Sequence, residues 1–477
     1  MKRLSHILTL AALAMAVALA ACEQTTYYTV TLDAGIGRVW GETEWVTVKK
    51  IAVAEGEAMP VHNASAPDGY GFDGWYRDAA TTVKWDMYAD VVTGDITLHA
   101  GYAPLYTVTY HANGGIFADR WDKRETATMD FAEGSAVDVP QNVMKPGHLI
   151  EGWYRDAELT DRWDFSTDVI AGDMELHAKW GAGIEGLTLE NYPRVDGATS
   201  TRALNHMIAC KLLGMEYTWH GILESPEQSV YRVDENGYLD DTFFDGRILT
   251  SQTYGAMMNL IEGKVEIILR STTASPDERA AAEAAGVTLI ETPIALDAFV
   301  FLKNRANPVA SLTLDDVRKI YFGQITDWSQ VGGRRGTITP YSRPRNSGSE
   351  EAFIELVMKD ADPVKFPEEQ RVRPSNYDDP FSMSRLMWEM EQNPNGIGYI
   401  FKNYKEKIMN RYEPVFSIDG VSPTAATMKN GTYPLTTKVY AIIRSDLDRS
   451  STAYKLYEWL GTDAAKLVLE ECGFVTL

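Results

Sequence analysis

The sequence predicts a multidomain chain in which two small β-rich modules precede a larger α/β domain. Three observations carry that prediction. An internal repeat with a fixed offset of 78 occupies residues 28 to 180; after Trp180 the pattern changes to alternating helices and strands; and a short uncharged apolar run stands before both. A length of 477 residues agrees, since it suggests about three domains.

The opening run is laid out as an export signal, with Lys2 and Arg3 followed by the Ala- and Leu-rich stretch from Ile7 to Ala20. It is too short to span a bilayer comfortably. Its end, Leu19-Ala20-Ala21-Cys22, resembles the lipobox of bacterial lipoproteins. That resemblance implies a signal peptide over 1–21 and an acylated Cys22 that tethers the body to a membrane surface. The alternative is an ordinary secretory signal with a chance cysteine. No second long apolar run follows, so an extracytoplasmic body is expected, on the cell surface or in the periplasm. Only Cys210 and Cys472 remain there. Both sit among apolar residues, as buried free thiols or as one bridge, and two cysteines make no disulfide framework.

Acidic residues number 67 against 45 basic ones, a net charge of −22; losing the two positive charges of Lys2 and Arg3 leaves −24. Nucleic acid is therefore excluded as a partner. A small anion is not, because local dipoles and donors hold it in a cleft whatever the global charge.

The two modules span 27–103 and 105–180. Tyr28 and Tyr106, Trp75 and Trp153, Trp85 and Trp163, and His99 and His177 are each 78 apart. Each copy opens on an alternating strand, Tyr28 to Leu32 or Tyr106 to Tyr110, and each carries Gly-Trp-Tyr-Arg-Asp-Ala before a closing strand. The Gly-Trp-Tyr block resembles the internalin-type B repeat, a β-grasp-like module of bacterial surface proteins. The matched aromatics read as module cores, and His99 and His177 as strand residues; no metal-ligand spacing occurs and no cofactor is expected. Such repeats serve either as a stalk or as a surface contact.

Residues 181–186 read as a linker, and a domain of 187–477 follows. Helices are expected at about 202–213, 254–262, 276–285, 313–321, 349–359 and 382–391, with apolar strands between, as in an α/β fold with mostly parallel sheets. Three loops that open helices are rich in hydroxyls and glycine: Asp196 to Thr201, Thr250 to Gly255, and Arg343 to Ser349. Each reads either as an N-cap, with Ser347-Gly348-Ser349-Glu350 fitting a capping box, or as a cradle where free N–H groups and hydroxyls meet an anion.

The stretch from Leu312 to Trp328, followed by Arg343 and Ser347-Gly348-Ser349, resembles the signature of the phosphate-binding proteins that feed ABC importers. Asp196 to Thr201, Gly396-Ile397-Gly398-Tyr399, Tyr433-Pro434-Leu435 and Cys472-Gly473-Phe474 follow the same order. The resemblance implies two α/β lobes of the periplasmic-binding-protein type, joined by crossing strands near 293–303 and 433–443, that close on an oxyanion. It implies ligand contacts from Thr199, Ser200, Thr253, Ser271, Arg343, Ser347, Gly348 and Ser349, Arg343 supplying a planar two-pronged donor. Arg345 is expected to be a surface residue. One departure stands out. Where the family has an aspartate, this chain reads Arg270-Ser271-Thr272-Thr273, so Ser271 is neutral and Asp196 becomes the candidate replacement. The expected role is a binding protein, not an enzyme, that delivers inorganic phosphate or a similar oxyanion to an ABC permease. The alternative is a surface interaction lipoprotein whose repeats contact host or matrix.

Overall fold

The computed structural model describes residues 25–87, 90–119, 122–165, 167–222, 227–240, 242–343, 347–359, 382–411 and 414–477. The expected lipid anchor Cys22 and the extra Arg345 lie outside them. The chain divides into two compact units at Ala103/Pro104.

The first unit is one module. Strand β1 (Tyr27–Asp33) pairs antiparallel with β2 (Val48–Ala54) and parallel with the start of β4 (Ile96–His111); β3 is Tyr70–Tyr76. Period-2 alternation turns Val30, Leu32 and Leu98 onto Trp75 and Trp85, which form the core. The second unit opens with the other module. The end of β4 pairs with β5 (Thr126–Ala132) and β7 (Met174–Ala182), and β6 (His148–Tyr154) pairs with β7. Val108, Tyr110 and Leu176 pack on Trp153 and Trp163 at the matching positions. Arg77 lies over the Trp85 ring at 4.4 Å and Arg155 over Trp163 at 4.7 Å, so the repeated Arg of the Gly-Trp-Tyr-Arg block lids the second tryptophan in both copies.

The expected linker begins inside a strand. Gly181 and Ala182 still pair with Leu149 and His148, and the second module is docked on the α/β domain that follows. Asn142 exchanges two hydrogen bonds with Tyr217, Leu149 joins the core of the α/β domain, and Arg162 meets Asp463 at 3.1 Å. Gly and Ala signal a turn in sequence, yet a sheet edge with a partner holds them extended.

The α/β domain is built on one six-stranded sheet ordered β8-β11-β15-β12-β14-β13, from β8 (Val195–Gly197), β11 (Ile267–Arg270), β12 (Leu289–Lys303), β13 (Thr339–Pro340), β14 (Gly396–Phe401) and β15 (Thr436–Arg444). A hairpin, β9 (Tyr217–Gly221) and β10 (Gln228–Val233), stands beside it. The sheet is mixed, not mostly parallel: β8 and β11 are parallel, as are β14 and β13, but both long strands pair antiparallel with their neighbours. The cause is β12, which pairs with β15 in the first lobe from Leu289 to Ala298, with a bulge at Ile294, and whose last five residues pair with β14 in the second. One strand thus serves both lobes, and the return strand must run against it.

Helices α1 (Arg202–Leu212), α2 (Gln252–Ile261) and α3 (Pro276–Ala284) flank the first lobe, with α7 (Thr452–Trp459) and α8 (Asp463–Glu471). The second carries α4 (Leu314–Tyr321), α5 (Gly348–Ala352) and α6 (Ser382–Gln392). The expected helix 349–359 is α-helical only to Ala352; Phe353–Met358 continues as a π-helix.

Candidate functional site

The first hydroxyl loop leaves β8 at Gly197. A Cβ there would stand 2.6 Å from Thr201 Oγ1 and 2.8 Å from the Leu269 carbonyl, so only glycine lets the loop close on β11. Thr199–Thr201 form a 3-10 turn that runs into α1. Thr199 is half-buried at its head. Ser200 is buried, its Oγ 3.3 Å from that of Ser271. Thr201, the cap of α1, spends its hydroxyl on the Ala198 and Leu269 carbonyls and gives α1 no side-chain cap, while the Arg202 N–H donates to the Thr199 carbonyl of the preceding turn.

Asp196 is not a solvated loop residue. It is fully buried; Oδ1 accepts from the N–H groups of Gly197 and Ser251 and Oδ2 from Asn259 Nδ2, all at 2.8 Å. It ties the first loop to the entry of α2, a structural role beside the one expected of it as the replacement for the absent family aspartate.

The entry of α2 repeats the motif. Ser251 makes no side-chain cap, and Gln252 sits at φ +62°, a left-handed conformation uncommon for a residue with a Cβ. Thr253 follows, buried. The point where a Cβ on Gly348 would sit is 2.8 Å from Thr253 Oγ1, so glycine is required where the two lobes meet. Behind Thr253, the Arg270 guanidinium is fully buried, bidentate on Glu278 at 2.8 and 2.9 Å, with Thr272 Oγ1 2.7 Å from Nη2. Arg270 is structural, and Ser271 is the residue that reaches Ser200.

From the second lobe comes Arg343, 3% exposed. Its N–H donates to Glu350 Oε2 at 3.0 Å and to Tyr399 OH at 3.1 Å, and the Tyr399 hydroxyl donates to the same carboxylate oxygen. Burial lowers the guanidinium pKa, opposed by Tyr404, Tyr399, Glu350 and Glu227 around it. Ser347 is a cap as well as a loop residue: its Oγ accepts from Glu350 N–H at 3.3 Å. Ser349 Oγ is buried without a hydrogen-bond partner among the described residues.

The structure thus brings together Ser200 with Ser271, and Thr253 with Gly348, and sets Arg343 and Ser349 at the head of α5. Sequence reasoning did not name Glu227 or Tyr404, and it read Glu350 and Tyr399 without their relation to Arg343. Glu227, buried at the start of β10, accepts from Tyr404 OH and, at 3.0 Å, from Arg202 Nη2; Glu350 orders the arginine's backbone. Chemically, the arrangement offers two uncapped helix N-termini, four or more hydroxyls and one buried guanidinium, a donor-rich surround suited to a small oxyanion.

Residues 247–463 match the model of a PBP superfamily domain, and residues 28–101 and 106–179 each match the Listeria-Bacteroides repeat domain, a module related to the internalin-type B repeat. A Gly-rich membrane protein of Evansella cellulosilytica is 39% identical over 114 residues, 24% of this chain and 12% of that protein. The phosphate-binding protein PstS of Bacillus subtilis is 24% identical over 215 residues, 45% of this chain and 65% of its own. This chain therefore spans less than two thirds of either relative. An ABC-type phosphate transport receptor from Vibrio cholerae aligns in structure at 19% identity and a TM-score of 0.41, covering 59% of this chain and 99% of that one.

Proposed function

We propose that this chain, which carries a PBP superfamily domain behind two Listeria-Bacteroides repeats, binds inorganic phosphate between its two lobes as an extracytoplasmic lipoprotein anchored at Cys22 and delivers it to an ABC permease. The observation that carries the reading is the pair of uncapped helices, α1 and α2, that open beside Ser200, Ser271 and Thr253. Elsewhere in the domain Ser275, Thr313, Thr424, Ser451 and Thr462 cap their helices with their own side chains. α1 and α2 lack such a side-chain cap, and a tetrahedral anion could take up N–H groups at their openings.

Arg343 adds the charge, and the hydroxyls of Thr199, Ser200, Thr253, Ser271 and Ser349 complete the shell as neutral donors. Isothermal titration with phosphate and sulfate tests this. Arg343→Ala should weaken phosphate binding by more than about thirtyfold, the low end of the 2 to 5 kcal/mol range for truncating one side of a buried charged pair. Arg345→Ala should matter much less. Absence of phosphate binding in the unaltered protein would overturn the reading.

A further inference from the structure

We propose that the second repeat module holds a divalent transition-metal ion of the zinc class between His111, Glu175 and His177. These residues come from the two parallel strands β4 and β7, where His111 and His177 are register partners and Glu175 stands two residues before His177. Period-2 alternation puts the three on one face, opposite the core positions Tyr110, Ala112, Leu176 and Ala178.

The distances fit an ion better than they fit hydrogen bonds. Glu175 Oε2 lies 3.4 Å from Nε2 of both histidines. A tetrahedral ion bound at about 2.05 Å has ligand-to-ligand edges of about 3.3 Å. His111 Nε2 is buried and has no hydrogen-bond partner among the described residues, an acceptor or donor left waiting beside a carboxylate. The His177 side chain is 11% exposed, while Glu175, 61% exposed, stands at the solvent-facing edge of the cluster. The two imidazoles stack with centroids 4.5 Å apart and planes 6° from parallel. Capture requires each ring to turn so that the Nε2 lone pairs converge, with water in the remaining position. Imidazole and carboxylate together select zinc-class ions over calcium or magnesium.

The first module is an internal control. Its matched residues are Asp33, Thr97 and His99, and only one contact remains, His99 Nδ1 to Asp33 Oδ2 at 3.2 Å. The repeat scaffold is the same, but the three-ligand set is specific to the second copy. An ion there would cross-link the strand that opens the module to the strand that closes it.

The test is calorimetric titration of Zn2+ into the chelator-treated full-length protein in phosphate-free buffer, with Ca2+ alongside. One zinc site is expected, with no calcium binding. Glu175→Gln, an exposed change that leaves the fold intact, should weaken zinc at least tenfold, and His177→Ala should abolish it. His99→Ala should leave zinc binding unchanged. Failure to bind zinc, or equal binding by Glu175→Gln and His177→Ala, would overturn the proposal.

Discussion

At the scale of single residues, the selectivity of the site turns on Ser271. At neutral pH phosphate keeps at least one proton and sulfate none, so a fixed carboxylate accepts from the first and repels the second. A serine hydroxyl does neither strongly, and Asp196 is buried with both carboxylate oxygens already engaged in tying the first loop to α2. Wild-type protein should therefore discriminate weakly between the two anions in competition titrations, and Ser271→Asp should lose sulfate while keeping phosphate. Unchanged sulfate affinity would remove residue 271 from the ligand. Asp196→Asn should act on stability instead, costing about 2 kcal/mol or more in chemical unfolding, because each buried carboxylate hydrogen bond contributes about 1.5 to 3 kcal/mol. The cysteines follow from burial: Cys210 and Cys472 are both free, and desolvation raises both thiol pKa values, Cys210 to about 12. The hydroxyl loops were legible in sequence because their residue types are local signals. Glu227 and Tyr404 were not, since folding places them beside an arginine distant in sequence, and Glu350 and Tyr399 were visible only as parts of a capping box and of a family stretch, not as partners of Arg343.

At the scale of elements, six helices were legible as helical runs and the crossing strands were implied by the family resemblance, while the helices Thr452–Trp459 and Asp463–Glu471 were not foreseen. The π-helical continuation at Phe353–Met358 was not, because its residues spell an ordinary helix and only packing widens the turn. Strand β12 carries a titratable group at the point where it passes between lobes. Asp297 is buried; Oδ1 accepts from Ala298 and Asn403 N–H groups, Oδ2 has no partner among the described residues, and desolvation pushes its pKa up to about 7. A carboxyl whose folded pKa is raised stabilises the fold below its unfolded value near 3.8, and that contribution is lost as pH rises through 7. Unfolding free energy should fall by on the order of 3 kcal/mol between pH 4 and 7 on this account. Asp297→Asn, which keeps the Oδ1 acceptor and stays neutral, should flatten that slope in urea titrations; an unaltered slope would assign it to other groups.

At the scale of the whole molecule, the repeats were legible as repeats but the docking of the second one was not. Its contacts join Asn142 to Tyr217 and Leu149 to a core assembled from residues far along the chain. Tyr217 is itself fully buried, its hydroxyl donating to Glu471, and Glu471 is paired at 2.7 Å with Lys211. Cutting the chain at residue 187 should uncover Leu149's site and leave these groups facing water. A protein of 187–477 should melt about 6 °C or more below one of 104–477, as about 3 kcal/mol implies for a domain of this size. Equal melting temperatures would mean the contact contributes nothing. Phosphate affinity, by contrast, should be the same in both.

The docked module is hydrogen-bonded to the first lobe. Its hydrogen bonds and ion pair among the described residues reach Tyr217 and Asp463, and its apolar seat borders Cys210, Leu467 and Val468, all in the first lobe. If phosphate is bound by closure of the two lobes, as we propose, that lobe would be the fixed jaw of a vice and the lobe bearing Arg343 the jaw that travels. A receptor waiting for a loaded protein would then gauge the excursion of a single moving part against a frame that stays put.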